Sequence, residues 1–439
     1  MHKPIRQLLL AAGAAMVAGP VLAQGIDDRI AELERQLAAL KAQVAAHDES
    51  ITDNSRDIEE ARPVAAGTSM RYGGFIQLDG IASNYSEGKP ASALIDDFVV
   101  GSLIPVEPSS GDADAYSDFN LHAKSSRFFF TTKTRTDAGA ISTRLELDFM
   151  LSPGGDERIS NSWNSRLRHA FVNWEYGEGR SLMAGQSWST FFNVGALPDV
   201  LDFVGPVGTI FVRQPQIRWT SGPLQLSLEN PATRLNESSD GGVTTRLDDV
   251  ETLPDIIARY NGEAGELSWS VAALGRQLSY EARSGSAVEV ADDSRFGYGL
   301  SLAGKWTLGR DDLRFMFSYG DALGRYLGLN AYNDGYIDAG GNIETIDQWG
   351  GFIAYQHYWS DAWRSTFSLS ASAADNPGRD DFSAAGSLAS EYQSVHANLN
   401  WLPAPKLQIG GEYSYGRKEL EDGRKGDLNR LQFAVKYAF

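Results

Sequence analysis

Cysteine is absent from all 439 residues, which excludes disulfides, thiolate metal sites and cysteine nucleophiles. Histidine is scarce: the six are His2, His47, His122, His169, His357 and His396, and none stands in a nucleophile or metal-binding motif. Gly-rich phosphate loops are missing too. These gaps argue against an enzyme and leave neither a cofactor nor a metal to be expected. Basic residues are in deficit, 39 Lys and Arg against 57 Asp and Glu for a formal charge of −18, so a nucleic-acid partner is not expected. The longest purely apolar run, Leu8–Ala18, is about half what a membrane-spanning helix needs. A helical membrane protein is thereby excluded. A membrane β-barrel is not, because its strands turn only every second residue to lipid.

Glycine (45 residues) and aromatics (11%) are plentiful, as in a β-rich chain with many turns. The N-terminus has a different grammar. Lys3 and Arg6 precede the apolar run, and Val21-Leu22-Ala23 supplies small-residue cleavage chemistry. Residues 1–23 therefore read as a secretory signal peptide, whose removal takes the charge to −20 (−18 minus 2). From 24 to 62 apolar residues recur at three and four. Ile30, Leu37, Val44, Ile51 and Ile58 fall at heptad position a, and Leu33, Leu40, His47 and Asn54 at d. Five heptads in one register predict a coiled coil, a rod of roughly 50 Å at 1.5 Å per residue. Polar d residues can set register and strand number; three strands are favoured and two stay open. A lone core His47 is a weak metal candidate. Arg62-Pro63 ends the rod, and 63–69 reads as a linker.

From Met70 the period changes to two. The last segment is the plainest: Leu431, Phe433, Val435, Tyr437 and Phe439 alternate with Arg430, Gln432, Ala434, Lys436 and Ala438. Ile141 to Phe149, Leu224 to Leu228, Phe296 to Trp306 and Leu313 to Tyr319 repeat the pattern, with Trp and Tyr gathered at strand ends. Seven short connections alternate with eight long ones, which predicts sixteen antiparallel strands with both termini on the short-turn side. The expected fold is an all-β transmembrane barrel over 70–439 behind an N-terminal helical coiled coil. Sixteen strands leave a water-filled lumen. One stretch breaks the alternation: from Ser187 to Arg218 the chain is rich in Phe, Val, Leu and Ile yet interrupted by Gly and Pro. Residues 188–212, the third long connection, are expected to fold into the lumen.

The segments RYGGFIQLDG (Arg71–Gly80), RLRHAFVNWEYG (Arg166–Gly177), SLMAGQSWSTF (Ser181–Phe191) and RQPQIRW (Arg213–Trp219), with the terminal Phe439, resemble the DcaP-like family of trimeric outer-membrane porins. Phe433, Val435, Tyr437 and Phe439 are similar to the C-terminal signal of bacterial outer-membrane barrels. The resemblance implies a Gram-negative outer-membrane location with the coiled coil in the periplasm, and a homotrimer passing small hydrophilic solutes, small dicarboxylates and related anions in particular. Implied partners are outer-membrane lipid and lipopolysaccharide, with peptidoglycan a further candidate reached through the coiled coil. Two other readings stay open: a general or cation-preferring porin, and a coiled-coil envelope tether or adhesin on a barrel anchor.

A porin sets a radius and a field, commonly with an inward loop facing charged wall residues. The loop offers Asp199 and Asp202; the wall candidates are Arg127, Arg144, Arg166, Arg168, Arg213 and Arg218. Arginine suits carboxylate cargo because its guanidinium pairs both oxygens at once. Parity puts Arg127 and Arg144 on the water side. Arg168 shares parity with Ala170, Val172 and Trp174, which otherwise point outward; either a bulge intervenes or this wall lies at a subunit contact rather than in lipid. The balancing acids are Glu146, Asp148 and Glu229. The outer loops pull the other way: residues 84–117 hold six acids against Lys89, a negative field reaching about 8 Å in physiological salt.

Overall fold

The computed structural model describes residues 62–65, 67–151, 158, 160–239, 242–248, 250–281 and 293–439. The signal peptide and coiled coil expected from the sequence lie outside the described residues.

Among the described residues, alternating segments form sixteen barrel strands. The first four are β1 (Thr68–Tyr85), β2 (in two pieces, Tyr116–His122 and Arg127–Thr136), β3 (Gly139–Asp148) and β4 (Arg166–Gly177). Next come β5 (Arg180–Trp188), β6 (Arg213–Ser221), β7 (Leu224–Glu229) and β8 (Asp255–Ala264). Then follow β9 (Leu267–Tyr280), β10 (Asp293–Leu308), β11 (Asp311–Asp321) and β12 (Asp347–Tyr358). The last are β13 (Trp363–Asp375), β14 (Ala389–Ala404), β15 (Leu407–Leu420) and β16 (Lys425–Ala438). Each pairs antiparallel with its neighbours in sequence, and β1 pairs with β2 on one side and β16 on the other, so the sheet closes.

Alternation then sorts side chains as predicted. On β16, Leu431, Phe433 and Tyr437 are exposed on the outer face while Arg430, Gln432 and Ala434 are buried inside. Phe439 donates its backbone N–H to Gly74 O (3.0 Å) and sets its ring 5.9 Å from that of Phe128. Two boundaries differ from expectation. Arg62–Ala65 pairs with the start of β1, which begins at Thr68, where the sequence suggested a linker. The eighth long connection shrinks to residues 421–424, because β15 and β16 stay paired as far as Glu419 and Lys425.

The third loop, residues 189–212, does fold into the barrel, and the wall is built to receive it. Inward positions that would be polar in an open lumen are Ala272, Leu274, Ala303, Met316, Phe352, Ala354 and Ala374, all buried. They pack with Phe191, Phe192, Ala196 and Ile210 of the loop in one apolar cluster. Leu323, Tyr326 and Leu327 of the sixth loop (322–346) join that cluster, so a second loop also enters the barrel. The first loop enters as well: Ile95, Phe98, Val99, Val100 and Ile104 pack with Val204 of the third loop and Met150. Apolar burial thus holds three loops inside a barrel whose outer face is also apolar.

Gly208 marks where the third loop lies closest to the wall. A Cβ there would stand 2.3 Å from Gly351 N and 2.5 Å from Ala371 O, which are backbone atoms that cannot step aside. Gly208→Val is expected to destabilise the folded barrel by roughly 1–3 kcal/mol. The check is a lower temperature for the heat-induced mobility shift on a gel. An unchanged transition would mean that the loop is not seated here.

Candidate functional site

On the wall formed by β1 to β6, a β-bulge assembles the charge. Along β3 and β4, Glu146 pairs with His169 but Leu147 pairs with Leu167, leaving Arg168 as the extra residue. The bulge reverses parity. Leu167, Val172 and Trp174 stay exposed on the outside, while Arg168 and His169 are consecutive buried residues on the inside. The backbone carbonyls of Leu167 and Arg168 accept N–H bonds from the Gln186 amide (3.1 and 3.3 Å). Of the two alternatives that the parity of Arg168 left, the bulge is the one present here.

Two acids organise the arginines. Glu146 accepts from Arg144 (2.6 Å) and Arg168 (2.6 Å) and lies 3.4 Å from Arg127. Asp148, fully buried, accepts a two-pronged contact from Arg166 (2.9 and 2.8 Å) and a third bond from Arg168 (2.7 Å). Arg213 has its guanidinium 4.3 Å from the Trp188 ring centre and 5.8 Å from that of Phe211. Its buried Nη1 has no hydrogen-bond partner among the described residues. Five guanidiniums less two carboxylates leave a local charge of +3. Aromatic rings stand opposite: Phe203 of the third loop lies 5.7 Å from Arg166 and 5.5 Å from Arg168.

Five of the six expected wall arginines are therefore brought together. The exception is Arg218, which donates to Thr190 Oγ1 (2.8 Å), Gln216 Oε1 (3.0 Å) and Trp188 O, pinning the start of the third loop. Glu229 is no counter-ion to the cluster either: it accepts from Thr190 N (2.7 Å) and the Gln214 amide (2.5 Å).

The expectation that Asp199 and Asp202 face this arginine wall is corrected. Asp199 Oδ2 accepts from Arg364 Nε (2.6 Å) and Gln356 Nε2 (3.1 Å) on the other side of the barrel. Burial pushes its carboxyl up, but the Arg364 guanidinium outweighs burial and holds it below the usual range. Asp202 accepts backbone N–H bonds from Val99 (2.7 Å), Val204 (3.1 Å) and Gly205 (3.0 Å), tying first and third loops together. Burial pushes its carboxyl up, against the opposing pull of His396 and Arg430. The loop acids are spent on structure, and the lumen in front of the wall keeps its positive excess.

Sequence reasoning missed the groups that seat the loop. Glu412 accepts from Leu201 N (2.6 Å) and Asp202 N (3.2 Å) while contacting His396 Nδ1 (3.2 Å). Asn398 donates to Asp199 O (2.7 Å), and Arg314 donates to Leu197 O (2.5 Å). Inward parity on β11, β14 and β15 was the available signal for them.

A closed sixteen-stranded barrel with an apolar outer face, inward loops and a charged lumen is the outer-membrane porin fold. The chain belongs to the DcaP outer membrane protein family, whose model matches residues 25–439. Among solved structures it is similar to the outer membrane channel DcaP of Acinetobacter baumannii, at 23% identity and a TM-score of 0.69. That match covers 86% of this chain and 99% of the other. An anion-selective porin from Comamonas acidovorans matches at 10% identity and a TM-score of 0.51, over 85% of this chain and 100% of that one. OmpT of Vibrio cholerae matches at 11% identity and a TM-score of 0.50, over 87% and 100%. These likenesses are of fold. Among curated proteins, none matches this chain in sequence.

Removing the shared buried carboxylate should cost far more than removing one of its partners' neighbours. Asp148→Ala strands Arg166, takes one of the two carboxylates from buried Arg168, and is expected to cost about 3–5 kcal/mol. Arg144→Ala leaves Glu146 its other arginines and is expected to cost about 1 kcal/mol. Urea-unfolding midpoints in detergent check the difference; equal midpoints would remove Asp148 from its organising role.

Proposed function

We propose that this protein is an outer-membrane porin for passive diffusion of small hydrophilic solutes, with a preference for small anions such as dicarboxylates. The observation that carries the reading is the +3 excess of the five-arginine cluster, with the third loop's acids turned to other partners. A carboxylate passing the wall meets guanidiniums already oriented by Glu146 and Asp148, so little side-chain ordering remains for it to impose. Because four of the five guanidiniums are shared with a wall carboxylate, attraction stays weak and repeated, which favours transit over capture. The DcaP family membership and the anion-selective porin among the similar folds support this reading.

Assembly as a trimer, with lipid and lipopolysaccharide around it, belongs to the same proposal. Its support is one short stretch of wall: β7 has six residues, below the about 9–11 a membrane strand needs, while β5 and β6 have nine each. A wall that short is better covered by protein than by lipid.

A second reading, cation preference, is favoured by the outer mouth. Burial, and then the neighbouring Asp118, push the carboxyl of Asp96 in the first loop up to about 6, which marks a crowded acidic surface. The narrowest charged zone should nonetheless set the sign, since an ion crosses it without a full hydration shell. In planar bilayers under a KCl gradient the reversal potential is expected to report anion preference. Replacing Arg127, Arg144 and Arg213 together by Ala should reduce that preference toward neutrality. A cation-selective reversal potential in the unaltered protein would refute the anion assignment, and an absence of stepwise openings would sink the porin reading altogether.

A further inference from the structure

Beyond the arginine wall, a second basic position lies on the short-turn side of the third loop. A cavity of about 60 Å³ lies between the loop and the ends of β1, β15 and β16. Gln77, Gln408, Lys436 and Asp199 line it, with Val200, Leu201 and Ala434. One water needs roughly 10–15 Å³ of such volume, so the space admits a carboxylate or phosphate group.

The charges around it do not cancel evenly. Asp199 is engaged by Arg364 and Gln356, and that pair is neutral. Lys436 has the face of the Phe75 ring, 4.3 Å from its Nζ, and no carboxylate within ion-pair distance among the described residues. It therefore contributes a positive charge with N–H donors to spare. The amide of Gln77 gives one N–H to Asp79 (2.8 Å) and that of Gln408 one to Asn400 (2.9 Å), leaving each a second donor. Phe75 also lies 5.2 Å from the guanidinium carbon of Arg127, so one ring joins this position to the arginine wall.

We infer that the cavity is a second station for a small oxyanion, a carboxylate or inorganic phosphate, with Lys436 supplying charge and Gln77 and Gln408 supplying N–H bonds. The inference rests on the porin reading and adds a step to it. An anion leaving the arginine wall is received below the loop before it is released from the short-turn side.

The test is sided block of single-channel current by the full-length protein in planar bilayers. Acetate and inorganic phosphate are added separately to each side. Block from the short-turn side is expected at lower concentration than from the opposite side. Lys436→Gln is expected to weaken short-turn block by about tenfold, while the KCl reversal potential keeps the sign set by the arginine wall. Block by acetate alone, phosphate alone or both supports the station and assigns its source; block by neither overturns it. Sided block unchanged in Lys436→Gln also overturns it, and leaves the porin reading standing. Loss of channel openings in the unaltered protein would instead overturn the porin reading. Should Lys436→Gln fail to give the heat-shifted folded band, Gln408→Ala serves, with a smaller loss of short-turn block expected and an unchanged block overturning the station.

Discussion

A loop carried into a barrel brings its peptide groups with it, and those groups must find partners inside. The third loop depends on this requirement at every few residues. Glu412 takes the amides of Leu201 and Asp202, Asn398 and Arg314 donate to carbonyls of Asp199 and Leu197, and Ser394 Oγ accepts from Val207 N at 3.2 Å. Where no side chain intervenes, Gly208 lets bare backbone meet bare backbone. These contacts come from strands far along the chain, so the lumen's shape is settled only when the last strands have closed the barrel.

The same contacts divide the lumen into two electrical halves. On the side of β8 to β15, wall cations are engaged by the loop or by a wall acid: Arg364 by Asp199, Arg314 by Asp312 of the wall and a loop carbonyl, Arg259 by the carbonyl of Phe192. On the side of β2 to β6, cations outnumber their carboxylates and face rings rather than acids. The overall −18 of the chain thus says little about the field a solute meets. Net charge is a sum over surfaces, whereas passage samples one short stretch of wall.

Much of the fold was legible because a barrel strand writes its period into the sequence. Sixteen strands, the closing aromatic segment and the inward third loop could be read from alternation and its failure. Arg127 and Arg144 were readable from parity alone. The direction of Asp199 was not, because its partner Arg364 lies 165 residues away and no local pattern links them. Arg168 was ambiguous for a different reason: an unpaired extra residue leaves no trace in composition. The first loop was read as an acidic outer loop and the sixth only as a long connection, yet short apolar clusters such as Phe98-Val99-Val100 and Leu323 with Tyr326-Leu327 carry them inside. The eighth connection, read as spanning Gly416–Gly426, is mostly paired strand, and Arg417 and Asp427 bond across the extended hairpin.

The bulge at Arg168 bears on a limit common to every β-lined passage. In a regular strand, inward side chains recur every second residue, about 6.6 Å apart. Charge along one strand therefore has a ceiling set by backbone pitch, whatever residues are chosen. By turning two consecutive residues, Arg168 and His169, to the inside, β4 exceeds that ceiling at one point. With Arg166 two positions away, one strand presents three nitrogen-bearing groups where regular pleating would present two. A single extra residue has raised the linear density of the electrostatic surface without adding a strand or widening the barrel.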